Sequence, residues 1–144
     1  RIIAALSLAF RITKTSDEDP VINSPADAAA LMMHIGLLEQ EHLYVMLLNT
    51  RNRVLDTVLV YKGSVNSSQV RISEVIRPAI TRNAPAIVVF HNHPSGDPTP
   101  SPDDVAVTRA MVSAGKLIDV NILDHIVIGR TRYISLKERG LGFN

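Results

Sequence analysis

Ala86-Ile87-Val88-Val89-Phe90 is an unbroken apolar run that stops abruptly at His91-Asn92-His93 and the turn-forming stretch Pro94-Ser95-Gly96-Asp97-Pro98-Thr99-Pro100. A short apolar run rich in β-branched residues and closed by turn signals reads as a buried central strand. What surrounds it sets the fold class. His42–Asn49 and Val54–Tyr61 are rich in Leu, Val and Tyr and are separated by Thr50-Arg51-Asn52-Arg53, the pattern of a β-hairpin. Ser24-Pro25-Ala26-Asp27 has the form of a helix start, with a capping serine, proline at the first helical position and an acid three residues after the cap; the helix should run to about Gly36. Ser73–Arg82 reads as a second helix, capped by Ser73, with Glu74 in its first turn and Pro78 as a possible kink. Ser101–Lys116 reads as a third, with Gly115 near its end. One or two strands are expected within Ile118–Gly129, paired with Arg132–Ser135 across Gly129-Arg130-Thr131. Strands alternating with helices after a hairpin give an α/β domain with a mixed sheet. Ile2–Ile12 is helix-like, and Lys14–Asn23 is a polar connector. The expected organisation is therefore a helix and connector over residues 1–20, the remnant of a longer N-terminal region since the chain starts at Arg1, followed by one domain over 21–144.

Composition removes several chemistries. The chain has no cysteine, so disulfides, a thiol nucleophile and thiolate-bound zinc are excluded, as are nucleobase deaminases that need paired cysteines. Any metal must take nitrogen and oxygen ligands. With 15 basic and 14 acidic residues the net charge is +1, which creates no field that draws nucleic acid or acidic lipid. Arg51, Arg53, Arg71, Arg77 and Arg82 are scattered among apolar positions and read as solvated surface more readily than as a phosphate site. No stretch is long and apolar enough for a membrane span and no signal peptide is evident, which makes the cytoplasm the expected compartment. Apolar positions between Ile2 and Phe10 make self-association conceivable, but the oligomeric state is not readable.

The chemistry concentrates where the central strand ends. Side chains alternate along a strand, so His91 and His93 project from one face and Asn92 from the other. Ser101-Pro102-Asp103-Asp104 then opens a helix. Two imidazoles and the Asp104 carboxylate are the donor set of a catalytic zinc that keeps a fourth position for water. Each part also has a plainer explanation. His91 and His93 suit a polar strand end, and Ser101 with Asp104 suits a capping box. A carboxylate that ligates metal would be able to serve the cap amide only in part.

His91-Asn92-His93-Pro94-Ser95-Gly96, followed by Pro100-Ser101 and Asp104, resembles the JAMM (MPN+) metalloprotease motif, in which His-x-His is followed after seven residues by Ser, two further residues and Asp. Asn between the histidines and Pro-Ser-Gly after them are similar to the bacterial RadC family. The likeness runs from about Pro25 through Leu123-Asp124-His125-Ile126-Val127-Ile128-Gly129 to Glu138-Arg139-Gly140. It implies a cytidine-deaminase-like α/β fold with a mixed sheet between helices. It also implies an N-terminal helix-hairpin-helix-like region in longer members, the natural place for association with DNA.

In the JAMM pattern a glutamate upstream of the histidines, at the start of a strand, acts as general base. Of Glu39, Glu41 and Glu74, the resemblance selects Glu41, which precedes Leu43, Val45 and Leu47; Glu74 is a helix-start acid. Ser101 corresponds to the motif serine, whose hydroxyl steadies the oxyanion or the water. Asp97, Asp103 and Asp124 are candidates to orient the second ring nitrogens of the histidines, although each also suits a turn or surface. His125 is expected to be a strand residue with a structural hydrogen bond and not a fourth ligand. The leading expectation is a hydrolase of peptide or isopeptide bonds that uses one Zn2+ held by His91, His93 and Asp104, with Glu41 and Ser101 catalytic. The alternative is a DNA-repair-associated module whose metal site is secondary. A nuclease is disfavoured, because phosphodiester hydrolysis often uses two bridged metals and only one set of ligands is visible.

Overall fold

The computed structural model describes residues 19–144. The helical expectation for Ile2–Ile12 lies outside them. The order of elements is α1 (Pro25–Met32), a 3-10 turn (Met33–Leu37), β1 (His42–Leu48), β2 (Val54–Lys62), α2 (Ile72–Thr81), β3 (Ala86–Asn92), α3 (Pro102–Ile118), β4 (Asn121–Ile128) and β5 (Tyr133–Ser135). The strands form one five-stranded mixed sheet, ordered β2-β1-β3-β4-β5. β3 and β4 run parallel and are joined by α3; the remaining neighbours are antiparallel. This is the α/β architecture expected from the alternation of strands and helices and from the JAMM/MPN likeness.

Every residue of β3 is buried, as a strand with both faces covered must be. Ile87 and Val89 pack with Leu43, Val45 and Leu47 under Val75, Ile76 and Ala79 of α2 and Val107 and Met111 of α3. Val88 and Phe90 pack with Met46, Leu48, Ile126 and Ile128 under Ala28, Ala29 and Met32 of α1 and Ile35 of the turn after it. The parity of β3 thus sends His91 to the face covered by α2 and α3, and Asn92 to the face covered by α1.

Four boundaries differ from the sequence expectations. The first helix is α-helical only to Met32, and the 3-10 turn carries it on to Leu37. Gly36 there lies so close to the β4–β5 turn that a Cβ would sit 2.1 Å from the Gly129 carbonyl oxygen. The cap of α2 is Arg71, not Ser73, and it makes no side-chain cap bond; Ser73 is already helical, and Pro78 is accommodated inside the helix, which ends three residues later. Helix α3 runs past Gly115 to Ile118 and ends on Asp119 in the left-handed conformation, φ 59°. Gly115 instead lets the chain fold back across the helix, because a Cβ there would meet the Val120 carbonyl oxygen at 2.3 Å. Finally, Ile118 belongs to α3, and Asn121–Ile128 is a single strand. Leu123 is skipped in its pairing with β3, which puts Asp124 opposite Val88 and His125 opposite Val89.

Candidate metal centre

The parallel pair β3–β4 ends beside the N-terminus of α3, and the site forms there. His93 lies one residue past β3, where its amide still donates to the Ile128 carbonyl, 2.9 Å, and continues the ladder. The chain then turns through Gly96, φ 94°, whose amide donates to the His93 carbonyl at 2.9 Å. The loop rests on the β4–β5 turn so closely that a Cβ on Gly129 would be 2.4 Å from the Gly96 carbonyl oxygen. This short, locked path brings Ser101 and α3 back over the strand end.

The two imidazoles meet through Nε2. His91 Nε2 is 3.1 Å from His93 Nε2, 3.2 Å from Asp104 Oδ1, and His93 Nε2 is 3.1 Å from Asp104 Oδ2. Ligands about 2.1 Å from a tetrahedral ion stand about 3.4 Å apart, so an opening of a few tenths of an ångström would admit one. His91 and Asp104 are buried, whereas the His93 side chain is 17% exposed and gives the site its access to solvent. Glu41, His91 and His93 also each offer a donor atom, all within 4.8 Å of one another, a spacing that could hold a metal ion.

The second ring nitrogens decide what these atoms can do. His93 Nδ1 faces the Asp97 carbonyl at 2.9 Å and must donate to it, which leaves Nε2 with a lone pair. His91 Nδ1 faces His125 Nε2 at 2.8 Å. His125 Nδ1 in turn contacts Thr108 Oγ1, which donates its proton to the Asp104 carbonyl at 2.7 Å. Neutral rings in this arrangement present two lone pairs and a carboxylate to one point, a donor set without a proton that calls for a cation.

Burial and neighbouring charge act on these groups in opposite senses. Burial pushes the Asp104 carboxyl up, but hydrogen bonds and charge interaction with His91 and His93 and the Ser101 amide outweigh it and hold the group well below the usual carboxylate range. Burial disfavours a charged His93, yet the hydrogen bonds to Asp104 and Asp97 and the charges of Asp104 and Glu41 overcome it, and its pKa is raised. His125 is fully buried; desolvation, assisted by His91 and His93, drives its pKa well down and keeps the ring neutral.

A family model described as the RadC-like JAB domain matches residues 22–141. The chain belongs to the RadC family. It is 51% identical over 142 residues to a UPF0758 protein of Chloroflexus aurantiacus, an alignment covering 97% of this chain and 62% of that protein. A UPF0758 protein of Listeria welshimeri is 46% identical over 142 residues, covering 97% of this chain and 63% of the relative. One of Listeria monocytogenes is 44% identical over the same length. The chain thus spans less than two thirds of the length of these relatives. As a JAB domain it is a member of the JAMM/MPN superfamily. No helix among the described residues is long and apolar enough to cross a membrane.

All five sequence-selected residues of the RadC domain lie at this strand end. Ser101 and Asp104 form the capping box: Ser101 Oγ accepts from the Asp104 amide at 3.0 Å, and Asp104 Oδ2 accepts from the Ser101 amide at 2.8 Å. The expected conflict between capping and ligation is confined to one oxygen: Oδ2 serves the cap and also faces His93, while Oδ1 faces His91 and makes no cap bond. Glu41 directly precedes β1, and its Oε1 accepts from the Val65 amide at 3.4 Å. Among the three acids considered for the outer nitrogens, only Asp97 contributes, and through its backbone carbonyl; its own carboxylate accepts from Thr99 and Arg132. Asp124 faces away, accepting from Ser135 Oγ and the amides of His125 and Lys137. Asp103 is exposed.

Two contributions were not visible as such in the sequence. Asn92, fully buried between the histidines, accepts from the His42 amide at 2.7 Å and donates to the Gln40 carbonyl at 3.0 Å. It therefore grips the backbone on both sides of Glu41. Thr108 follows Asp104 by four residues, the spacing that puts both on one face of α3. His125 has the structural hydrogen bond expected of it, and the partner is the ligand candidate His91.

Proposed function

We propose that this domain is a metal-dependent hydrolase of peptide or isopeptide bonds, acting on a peptide or protein substrate in the cytoplasm. His91 Nε2, His93 Nε2 and Asp104 Oδ1 would hold one divalent ion. Nitrogen and oxygen donors in this ratio favour zinc. The observation that carries the reading is the convergence of two imidazole nitrogens and a carboxylate on one point, with the outer nitrogens of both rings already engaged. When bound, the ion supplies a Lewis acid and lowers the pKa of a water toward about 7.

The protein supplies the rest. The imidazoles of His91 and His93 and the Ser101 amide favour the ionised form of Asp104, so it offers a charged oxygen. Glu41 offers a carboxylate oxygen within 4.8 Å of the histidine donor atoms, close enough to reach a water bound at the same site. Its carboxylate would accept a proton from that water and pass it to the leaving amine, which would then depart neutral. Asn92 fixes the backbone that carries Glu41, so the proton acceptor does not wander. Ser101 Oγ accepts a hydrogen bond from the Asp104 amide, which leaves its own hydroxyl proton free to donate to the developing oxyanion.

The test is metal analysis of the purified protein followed by cleavage of a panel of unstructured peptides. We expect about one equivalent of zinc. Glu41→Gln should retain the metal and lose about 10²–10⁴-fold in turnover. A folded protein that takes up no divalent ion, or full turnover by the variant, would overturn the assignment.

A further inference from the structure

Behind the metal-facing atoms lies a chain of buried groups that hydrolysis does not touch. It begins at the Asp104 carbonyl, passes through Thr108 Oγ1 and both nitrogens of His125, and ends at His91 Nδ1. Its direction is fixed by proton counting. A threonine hydroxyl has one proton, and here it goes to the Asp104 carbonyl at 2.7 Å. Thr108 Oγ1 can then only accept from His125, so His125 Nδ1 carries a proton. In a neutral ring His125 Nε2 is bare and accepts from His91 Nδ1 across 2.8 Å. His91 must then present its lone pair at Nε2, toward His93 and Asp104.

We propose that Thr108 and His125 are positioning residues that set the tautomer and ring orientation of His91, so that its metal-facing nitrogen never carries the proton. The inference rests on the metal-binding reading given above and names the groups that prepare it. The device is built into the packing: Thr108 and His125 are both fully buried. Gly142, φ 87°, closes over Thr108, where a Cβ would be 2.9 Å from Thr108 Cγ2. The sequence around His125 serves the same end. Skipping Leu123 in the β3–β4 pairing turns His125, not Asp124, toward α3. Ring orientation by an outer hydrogen-bond partner is worth about 10–100-fold in metal affinity at comparable sites. A threonine placed on one helix face with the ligand Asp104 couples both ligands to the same element.

Thr108→Val removes the hydroxyl with almost no change in shape. Two measurements on the full chain separate the relay from simple packing. The first is histidine tautomer assignment by ¹H–¹⁵N correlation spectra at mildly alkaline pH. The wild type should show His125 protonated at Nδ1 and His91 protonated at Nδ1, whereas Thr108→Val should shift His125 toward the Nε2–H form. The second is zinc affinity by chelator competition, where Thr108→Val should bind about 10–100-fold more weakly and Thr108→Ser should restore wild-type affinity. A wild-type His125 protonated at Nε2, or a folded Thr108→Val that binds zinc as tightly as the wild type, would overturn the proposal. Should the wild type bind no zinc at all, the hydrolase reading falls while the tautomer spectra still decide the relay.

Discussion

Asp104→Asn separates the two duties of one carboxylate. In the structure Oδ2 accepts from the Ser101 amide at 2.8 Å, while Oδ1 lies 3.2 Å from His91 Nε2. An asparagine side chain can keep the first contact through its oxygen and turn its amide nitrogen toward the imidazoles, donating where the acid would have ligated. The metal-free variant loses a negative charge at a helix N-terminus, a cost of about 1 kcal/mol. Asp104→Ala loses the cap acceptor and the buried histidines' partner together, about 2–4 kcal/mol. The ion-bound comparison is larger. At a hundredfold excess over its Kd an ion stabilises the folded state by about 2.7 kcal/mol. For 144 residues at about 2.1 cal/mol/K each, the unfolding entropy is about 0.3 kcal/mol/K, and the Tm should rise by about 9 °C. Thermal unfolding followed by circular dichroism, with zinc and with chelator, should show that rise in the wild type and none in Asp104→Asn. If Asp104→Asn keeps the full rise, Asp104 is a cap alone. The ion would then be held by Glu41, His91 and His93, and the role given to Glu41 would be wrong.

Two further outcomes follow from groups outside the ligand set. Asn92→Ala orphans the buried His42 amide and opens a small void, which should cost about 2–4 kcal/mol in urea denaturation while leaving zinc content unchanged; a loss of metal would show that the Gln40–His42 backbone held by Asn92 is needed for ion binding. Asp124 gives a pH signature: burial raises its pKa, against the hydrogen bonds from Ser135, Lys137 and His125. The folded chain therefore holds this proton more tightly than the unfolded chain, and the contribution to stability falls as pH rises from about 3.9 through the raised value. Asp124→Asn keeps the acceptor for both amides, so its stability relative to wild type should climb over that range; a constant difference would mean that folding does not shift the Asp124 pKa.

Much of this was legible because local patterns and tertiary need coincide. Ala86–Phe90 is apolar at every position since both faces of β3 are covered, and the same burial fixes the parity that points His91 and His93 together. Ser24-Pro25 and Ser101-Pro102 start helices in the sequence and in the structure. Elsewhere a residue's evident local role hid a tertiary one. Gly115 looks like a helix stop, yet its missing side chain is needed for the return of Val120. Ser73 looks like a cap, but the chain enters α2 two residues earlier. The sequence offers only acids as evident outer partners of the histidines, whereas the structure uses a backbone carbonyl for one and a second imidazole for the other. Such choices depend on which atoms lie behind the site, and strand register decides that. Spacing along the chain does not report it.

Register also explains why the site is built at this end of the sheet. A parallel pair requires a crossover, and α3 must re-enter beside the C-terminal end of β3 if it is to pack on the face carrying Ile87 and Val89. That return places the unpaired amides at the start of α3 next to His91 and His93. An acid at the third helical position then satisfies one of those amides with Oδ2, which also reaches His93, and presents Oδ1 to His91. The capping box thus orients the ligand, and the reading of Ser101 and Asp104 as a cap and as part of a metal site describes one arrangement. Weakening the cap should therefore loosen the site even when every ligand atom is retained. Ser101→Gly tests that coupling: it removes the hydroxyl that accepts from the Asp104 amide but leaves the Ser101-position amide to bond Asp104 Oδ2. A cap substitution by glycine costs only a few tenths of a kcal/mol in stability. Zinc affinity should nevertheless fall by more than that small cost accounts for, and an affinity loss no larger than the stability loss would show that cap and ligand are independent.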